Sequence, residues 1–242
     1  MRVALISDIH ANLMALKTVL DEVAQDEVDQ VVCLGDVANL GPQPKESLEL
    51  IRERGIPCVM GNHDSFMLEP DLVHTYTDQP LIARAVDWSH ARLDPDDLAY
   101  LRTFPQTMEL ALDDGVKMLL FHGSPRSNMD DILALTPPEE IDQMLAGHEA
   151  AVMACGHTHI QMLRQHKGRL LINPGSVGCP FLEYVAGGPP TVMAYAEYAV
   201  VECVQGALKV SLSRIPLDRE ELYQAVEQSD FPLRGMMLQQ YS

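Results

Sequence analysis

The first part of the chain alternates between short apolar runs and segments with apolar residues at helical spacing. Residues 2–6 and 30–34 are apolar and partly β-branched, which predicts two buried strands. A helix between them, with Asn12 as a suitable cap, is indicated by apolar residues every three or four positions. These positions are Leu13, Leu16, Leu20 and Val23. A second helix to about Arg54 and a third strand near 56–60 follow. This order predicts a parallel sheet with right-handed crossovers.

The next region, about 65–106, has no strong strand pattern and holds loose aromatic residues such as Trp88. Asp94 and Pro95 are typical of a helix start, with the Asp as cap and the Pro at the first helical position. We interpret the region as a small helical cap inserted between sheet strands. Ordinary helical packing is an equally open alternative.

The second half of the chain returns to strands. They are predicted at 108–112, 117–121, 150–155, 161–166, 169–172, 192–204 and 207–215. Turns are predicted at Asp113-Asp114-Gly115, Lys167-Gly168 and Gln205-Gly206. A capping box that starts at Thr136 predicts a helix to about Gly147, and a terminal helix is predicted over about 218–227.

Length and composition indicate one domain over 1–242, because 242 residues with 47% hydrophobic content can bury a sizeable core. Lys plus Arg is 17 and Asp plus Glu is 35, so the net charge is −18. Such a surface disfavours duplex nucleic acid and anionic membranes as partners. An anionic substrate would need local positive charge, which bound metal ions supply. The alternative is that the charge only keeps the protein soluble.

Five cysteines are widely spaced and odd in number, without a Cys-x-x-Cys pair, which is typical of a reduced protein. Asp8 interrupts the first apolar run too early for a signal peptide. No run approaches the ~18 apolar residues of a membrane span. These features predict a cytoplasmic location.

Side chains of metal-ligand type follow five of the apolar runs. They are Asp8 and His10, Asp36, Asn62 and His63, His122, and His157 and His159. Each alone could be a helix cap or a structural histidine. Their repeated position at strand ends instead favours one shared site, because strand ends of an α/β sheet converge on one edge. Two divalent cations need several N and O ligands and a shared carboxylate, and this mixture suits Mn, Fe, Zn or Ni better than Mg or Ca.

Five motifs resemble those of the calcineurin-like metallophosphoesterase superfamily. In chain order they are Asp8-x-His10, Gly35-Asp36, Gly61-Asn62-His63-Asp64, His122 and Gly156-His157-Thr158-His159. The resemblance implies an α/β fold, a four-layer α/β/β/α sandwich of two mixed sheets flanked by helices. It implies one metal on Asp8, His10, Asp36 and His159, and another on Asp36, Asn62, His122 and His157. His63 would stabilise the phosphoryl oxygens and protonate the leaving group, with Asp64 orienting it.

The residues after Asp36 indicate which branch of the superfamily the chain resembles. Protein Ser/Thr phosphatases of the superfamily carry Asp-Arg-Gly there, whereas this chain continues Val37-Ala38-Asn39-Leu40. The chain instead resembles the small bacterial and archaeal phosphodiesterase branch, including its Asn173-Pro174-Gly175-Ser176 loop, which could hold an anion or be only a turn. Arg126 is the candidate for a second phosphate contact, with a surface arginine as the alternative.

The expected function is a metal-dependent phosphodiesterase or phosphatase that acts on a small phosphorylated molecule such as a nucleotide. Two divalent transition-metal ions are expected as cofactors, Mn first, with Fe, Zn, Ni or Co as alternatives. A nuclease on single-stranded nucleic acid and a non-catalytic protein-binding scaffold are the competing hypotheses. The natural substrate and the oligomeric state stay open, with a homo-oligomer as one option.

Overall fold

A computed structural model describes residues 1–185 and 188–242. Its strands are β1 (Arg2–Ile6), β2 (Gln30–Cys33), β3 (Thr107–Ala111), β4 (Lys117–Phe121), β5 (Val152–Ala154), β6 (Met162–His166), β7 (Arg169–Asn173), β8 (Tyr195–Val204) and β9 (Ala207–Pro216). Its helices are α1 (Leu13–Val23), α2 (Pro44–Glu53), α3 (Asn62–Leu68), α4 (Val73–Tyr76), α5 (Pro80–His90), α6 (Pro95–Leu101), α7 (Pro138–Met144), α8 (Arg219–Glu227) and α9 (Arg234–Tyr241).

The strands form two mixed sheets. The first has the order β2-β1-β8-β9, with β1 parallel to β2 and antiparallel to β8. The second has the order β3-β4-β5-β7-β6, in which the central strands β4, β5 and β7 are parallel. In both sheets, the parallel strands therefore bring their carboxyl ends to one edge, where ligands bind in α/β proteins.

Alternation of side chains along the strands produces the layers. Val3 and Leu5 of β1 share a buried apolar cluster with Met118 and Leu120 of β4, which lies between the two sheets. The residues that alternate with these along each strand belong to outer clusters. Ile6 of β1 packs with the helices that cover the first sheet, and the alternate residues of β4 pack with α7. The four-layer α/β/β/α sandwich expected from the resemblance is confirmed.

Local signals explain several element boundaries. The Asn12 side chain accepts a hydrogen bond from the Ala15 backbone at the start of α1, as its position predicted. The Asp94 side chain accepts from the backbone of Asp96 and Asp97 at the start of α6, which confirms the predicted cap. The hairpin of β8 and β9 turns at Gln205 and Gly206, as expected.

Two predicted elements differ from the structure. The strand near 56–60 is reduced to a single parallel bridge between Cys58 and Cys33, because Pro57 has no backbone N–H to donate to a ladder. The predicted capping box at Thr136 is wrong. Its hydroxyl accepts from the backbone of Leu133, and α7 begins after Pro137 without a side-chain cap. Helix α9 was not predicted.

The segment from α3 to α6 lies between β2 and β3 and contains only helices and turns. Its apolar residues, among them Phe66 and Val86, belong to the same buried cluster as Leu16 of α1. The interpretation of about 65–106 as a cap stays a prediction. Within the described residues, the helices are too short or too polar to cross a lipid bilayer.

Candidate metal centre

The strand ends bring histidine nitrogens from distant parts of the chain onto two buried carboxylates. Nε2 of His10 lies 2.9 Å from Nε2 of His159, although the residues are 149 positions apart. Nε2 of His159 is 3.2 Å from Oδ1 of Asp8, and Nε2 of His122 is 3.3 Å from Oδ2 of Asp36. The predicted convergence at one edge is therefore present for these five residues.

Two overlapping groups have ligand atoms within 4.8 Å of one another. One is Asp8, His10 and His159, and the other is Asp8, Asp36 and His122. Asp8 belongs to both groups, whereas Oδ2 of Asp36 also lies 3.8 Å from Nε2 of His10. Either carboxylate is therefore placed to serve two cations. That Asp36 is the bridge stays a prediction.

The other two predicted ligands border these groups. Oδ1 of Asn62 is 3.0 Å from Nε2 of His122. The ring of His157 lies 5.2 Å from that of His122, and its Nε2 is 3.6 Å from Oδ1 of Asp131. His157 thus reaches the same edge, but its side chain is not a member of either close group. We call the seven residues Asp8, His10, Asp36, Asn62, His122, His157 and His159 the metal rim.

Backbone carbonyls orient three of the histidines. Nδ1 of His10 lies 3.1 Å from the Asn39 carbonyl, Nδ1 of His122 lies 2.7 Å from that of Leu34, and Nδ1 of His159 lies 2.6 Å from that of Cys179. A carbonyl only accepts, so each Nδ1 carries the proton. Each Nε2 then faces the carboxylates, and a bound cation would take the place of any proton there, which is the arrangement that metal-binding histidines use.

The backbone of the rim is strained. Five rim residues have left-handed φ angles between 47° and 67°. They are Asp8, His10, Asp36, His157 and His159. Glycines make room beside them, since a Cβ on Gly61 would overlap the Asp36 carboxylate and one on Gly156 would lie 2.7 Å from Oδ2 of Asp8. Strained backbone at a convergence of polar side chains is typical of a functional site.

The buried charges of the rim fit divalent cations. Burial opposes ionisation of Asp8, but the charges of His159 and His122 outweigh it and hold its pKa at about 2. The pKa of Asp36 also lies well below its ordinary value, because the charge of His122 and the hydrogen bond with it outweigh its burial. Among the described residues, the ion pairs of both carboxylates involve histidines only. Within the part of the chain that the structure describes, Oδ1 of Asp8 is buried and accepts no hydrogen bond, so a cation would supply its missing partner.

His63 stands beside the rim, and Asn39 orients it. Its Nδ1 lies 2.8 Å from Nδ2 of Asn39, whose Oδ1 accepts a 2.7 Å hydrogen bond from the Leu40 backbone. The amide nitrogen therefore donates to His63, which leaves the ring proton on Nε2. Burial lowers the pKa of His63 to about 3, so the imidazole is neutral near pH 7.

The predicted contact between Asp64 and His63 is corrected by the structure. The Asp64 carboxylate accepts hydrogen bonds from the backbone N–H groups of Asp36, Val37 and Gly61. It therefore fixes the backbone that carries Asp36 and closes the first turn of α3. The sequence signal for Asn39 was a polar residue directly after the apolar pair Val37-Ala38.

Two further predictions concern Arg126 and the 173–176 loop. The Arg126 guanidinium donates to both oxygens of Asp130, at 2.6 and 3.2 Å, so its observed partner is a carboxylate and the phosphate contact stays a prediction. In the loop, the Ser176 hydroxyl donates to the Asp8 carbonyl at 2.7 Å and the Asn173 amide donates to the Gly156 carbonyl at 2.7 Å. The loop therefore supports the backbone of two ligand-bearing turns.

Comparison with known proteins identifies the family and agrees with the fold. The profile described as calcineurin-like phosphoesterase superfamily domain matches residues 1–205. The crystal structure of a metallophosphoesterase from Sphaerobacter thermophilus is 26% identical with a TM-score of 0.74, covering 100% of this chain and 98% of that one.

Several curated relatives have named activities, and two of them represent the two activities named. Phosphodiesterase YfcE from Escherichia coli is 26% identical over 190 residues, which is 74% of this chain and 81% of that protein. A symmetrical bis(5'-nucleosyl)-tetraphosphatase from Thioalkalivibrio sulfidiphilus is 31% identical over 105 residues. That match spans only 38% of this chain and 39% of the tetraphosphatase.

Proposed function

Because the chain belongs to the calcineurin-like phosphoesterase superfamily, we propose that it hydrolyses esters of a small phosphorylated molecule with two bound divalent metal ions. The observation that carries the proposal is the convergence of three histidine Nε2 atoms on two buried, ionised carboxylates. Names of relatives, a phosphodiesterase and a nucleoside polyphosphate hydrolase, support small phosphoesters as the substrate class.

The metal rim would hold the two ions. We assign Asp8, His10, Asp36 and His159 to one ion, and Asp36, Asn62, His122 and His157 to the other. The donor set of carboxylate, imidazole and amide favours Mn first, with Fe, Zn, Ni or Co as alternatives. When bound, such ions supply positive charge for the phosphoryl oxygens and lower the pKa of a water molecule.

His63 would act on the substrate rather than on the metals. With Nδ1 occupied by Asn39, its Nε2–H is the group that can donate a hydrogen bond to a phosphoryl oxygen. To protonate the leaving oxygen, the ring would first take up a second proton, which the negative charge of a bound phosphoryl group favours, and it would return to its neutral form on giving that proton up. Asn39 would hold the ring in this orientation, while its carbonyl holds His10. One residue would thus align a metal ligand and the substrate-facing histidine.

The direct test is hydrolysis of bis-p-nitrophenyl phosphate and p-nitrophenyl phosphate by the purified protein. The protein is freed of metal with a chelator and then given Mn, Fe, Zn, Ni or Co one at a time. We expect turnover that disappears with the chelator and returns with the metal. A folded protein that binds no transition metal and hydrolyses neither ester would contradict the proposal and would favour the scaffold hypothesis.

A further inference from the structure

A partly exposed tyrosine lies at the mouth of the metal rim. The ring centroid of Tyr76 is 6.0 Å from that of His63 and 6.1 Å from that of His157. It also packs on Phe66 at 5.9 Å, yet 45% of Tyr76 stays exposed. A group held between His63 and His157 therefore has this ring as a neighbour.

A second tyrosine reaches the same mouth from another loop. The Tyr184 hydroxyl donates a 2.7 Å hydrogen bond to Oδ2 of Asp131. Oδ1 of the same carboxylate is 3.6 Å from Nε2 of His157. Tyr184 is 40% exposed. Tyr76 and Tyr184 thus border the same rim histidine, one by direct ring contact and the other through Asp131.

Most of the exposed large apolar side chains lie in the segments that carry Tyr76, Asp131 and Tyr184. Of the nine exposed large apolar residues in the described chain, six are Tyr76 or belong to 129–135 and 182–185. Single exposed apolar residues are normal, but a cluster beside a polar cleft is typical of a ligand-binding surface.

The charges at the mouth disfavour an anionic group on these rings. Asp131 contributes a carboxylate, and the Arg126 guanidinium is occupied by Asp130. The part of a substrate that contacts Tyr76 should therefore be uncharged and apolar or flat.

We propose that Tyr76 and Tyr184 form a subsite for an aromatic ring, such as a nucleobase, that is attached to the phosphoester. This inference rests on the proposed function, because the phosphorus must be held at the metal rim for the ring to reach Tyr76. Stacking on one aromatic side chain changes affinity by roughly 5- to 100-fold per base and tolerates different bases, since every base has a flat face.

The experiment compares two diesters with the same p-nitrophenolate leaving group. One is the p-nitrophenyl ester of thymidine 5′-monophosphate, and the other is methyl p-nitrophenyl phosphate. We expect the wild-type protein to have the higher kcat/KM on the thymidine ester. Tyr76→Leu should lower the ratio of the two kcat/KM values roughly 5- to 100-fold, whereas Tyr76→Phe keeps the ring and should hold the ratio within about twofold.

Tyr223→Leu is the matched control, because this partly buried tyrosine lies on α8, outside the mouth. Its ratio should equal that of the wild type. Equal kcat/KM on both esters, an unchanged ratio in Tyr76→Leu, or an equal loss in Tyr76→Phe would each overturn the subsite while leaving the hydrolase activity intact. No turnover of either ester by the folded, metal-loaded protein would overturn the proposed function and the subsite with it.

Discussion

At the carboxyl ends of the strands and at the opposite end of the sheets, the backbone turns through the same left-handed conformation. At the opposite end, which we call the turn end, three hairpin turns have Asp114, Lys167 and Gln205 as their left-handed residues, all exposed and each followed by a glycine of positive φ. This pattern is what short hairpin turns require. At the metal rim, the left-handed residues are instead buried aspartates and histidines.

The comparison separates local from tertiary causes of left-handed backbone conformation. A turn-end residue adopts its conformation because the twist of two adjacent strands demands it. A rim residue such as Asp8 adopts it because contacts from other segments hold it, including the Gly35 carbonyl and the Ser176 hydroxyl. Each left-handed residue costs about 1–2 kcal/mol. At the rim, this cost directs side chains toward a common point, so substitutions there should change metal binding and turnover, whereas turn-end substitutions should change stability alone.

The largest effect is expected for Asp36→Asn. The substitution halves the negative charge of the rim carboxylates, and an interaction of several kcal/mol corresponds to a turnover loss on the order of 10³-fold. Metal content measured by mass spectrometry should fall for both ions. Unchanged metal stoichiometry would contradict a bridging role. Asp142→Asn is the matched control, because Asp142 also pairs with a histidine, His166, but at the turn end.

The next effect concerns His63→Gln, which should lower turnover about 10²- to 10⁴-fold, the range for loss of a general acid or base. Metal content should stay at the wild-type level, because Nδ1 of His63 is bonded to Asn39 and the residue is assigned to the substrate. Loss of metal together with turnover would show that His63 is a ligand. His166→Gln at the turn end should leave both quantities unchanged.

A smaller effect is expected for Asn39→Ala. The substitution removes the amide that orients His63 but keeps the backbone carbonyl that orients His10. We expect kcat to fall about 10- to 100-fold, as for other groups that orient an active residue, with KM nearly unchanged. Asn39→Gln keeps an amide donor for Nδ1 and should recover part of kcat. A rise in KM without a fall in kcat would contradict the positioning role.

The smallest effects come from a matched glycine pair. Gly61 has no room for a Cβ beside Asp36, so Gly61→Ala should destabilise the protein by about 1–3 kcal/mol and also reduce metal content. Gly168 has open space but a φ of +82°, so Gly168→Ala should cost about 1–2 kcal/mol and keep full turnover. Urea unfolding measures the stability of each variant, and ester hydrolysis measures its turnover. If the two variants lost turnover equally, the contrast between the rim and the turn end would fail.

Much of the fold was predictable because its signals are local. The hairpin turn at Lys167 and Gly168 and the helix cap at Asp94 appear where the residue types predicted them. The strand predicted near 56–60 was longer than the single bridge observed, because an apolar run does not reveal whether a partner strand accepts its hydrogen bonds. The Thr136 cap was wrong because the Thr hydroxyl found a closer backbone partner in its own loop.

The sequence by itself determined which residues could bind metal and that they follow buried strands, since residue chemistry and hydrophobic periodicity are properties of short segments. Tertiary structure alone decided which side chains meet. Spacing along the chain contains no distance between His10 and His159, and the family resemblance implied Asp64, not Asn39, as the residue that orients His63. Packing of two sheets fixed these pairs, because burial obliges each polar group to use the partner that the surrounding backbone places within hydrogen-bond distance.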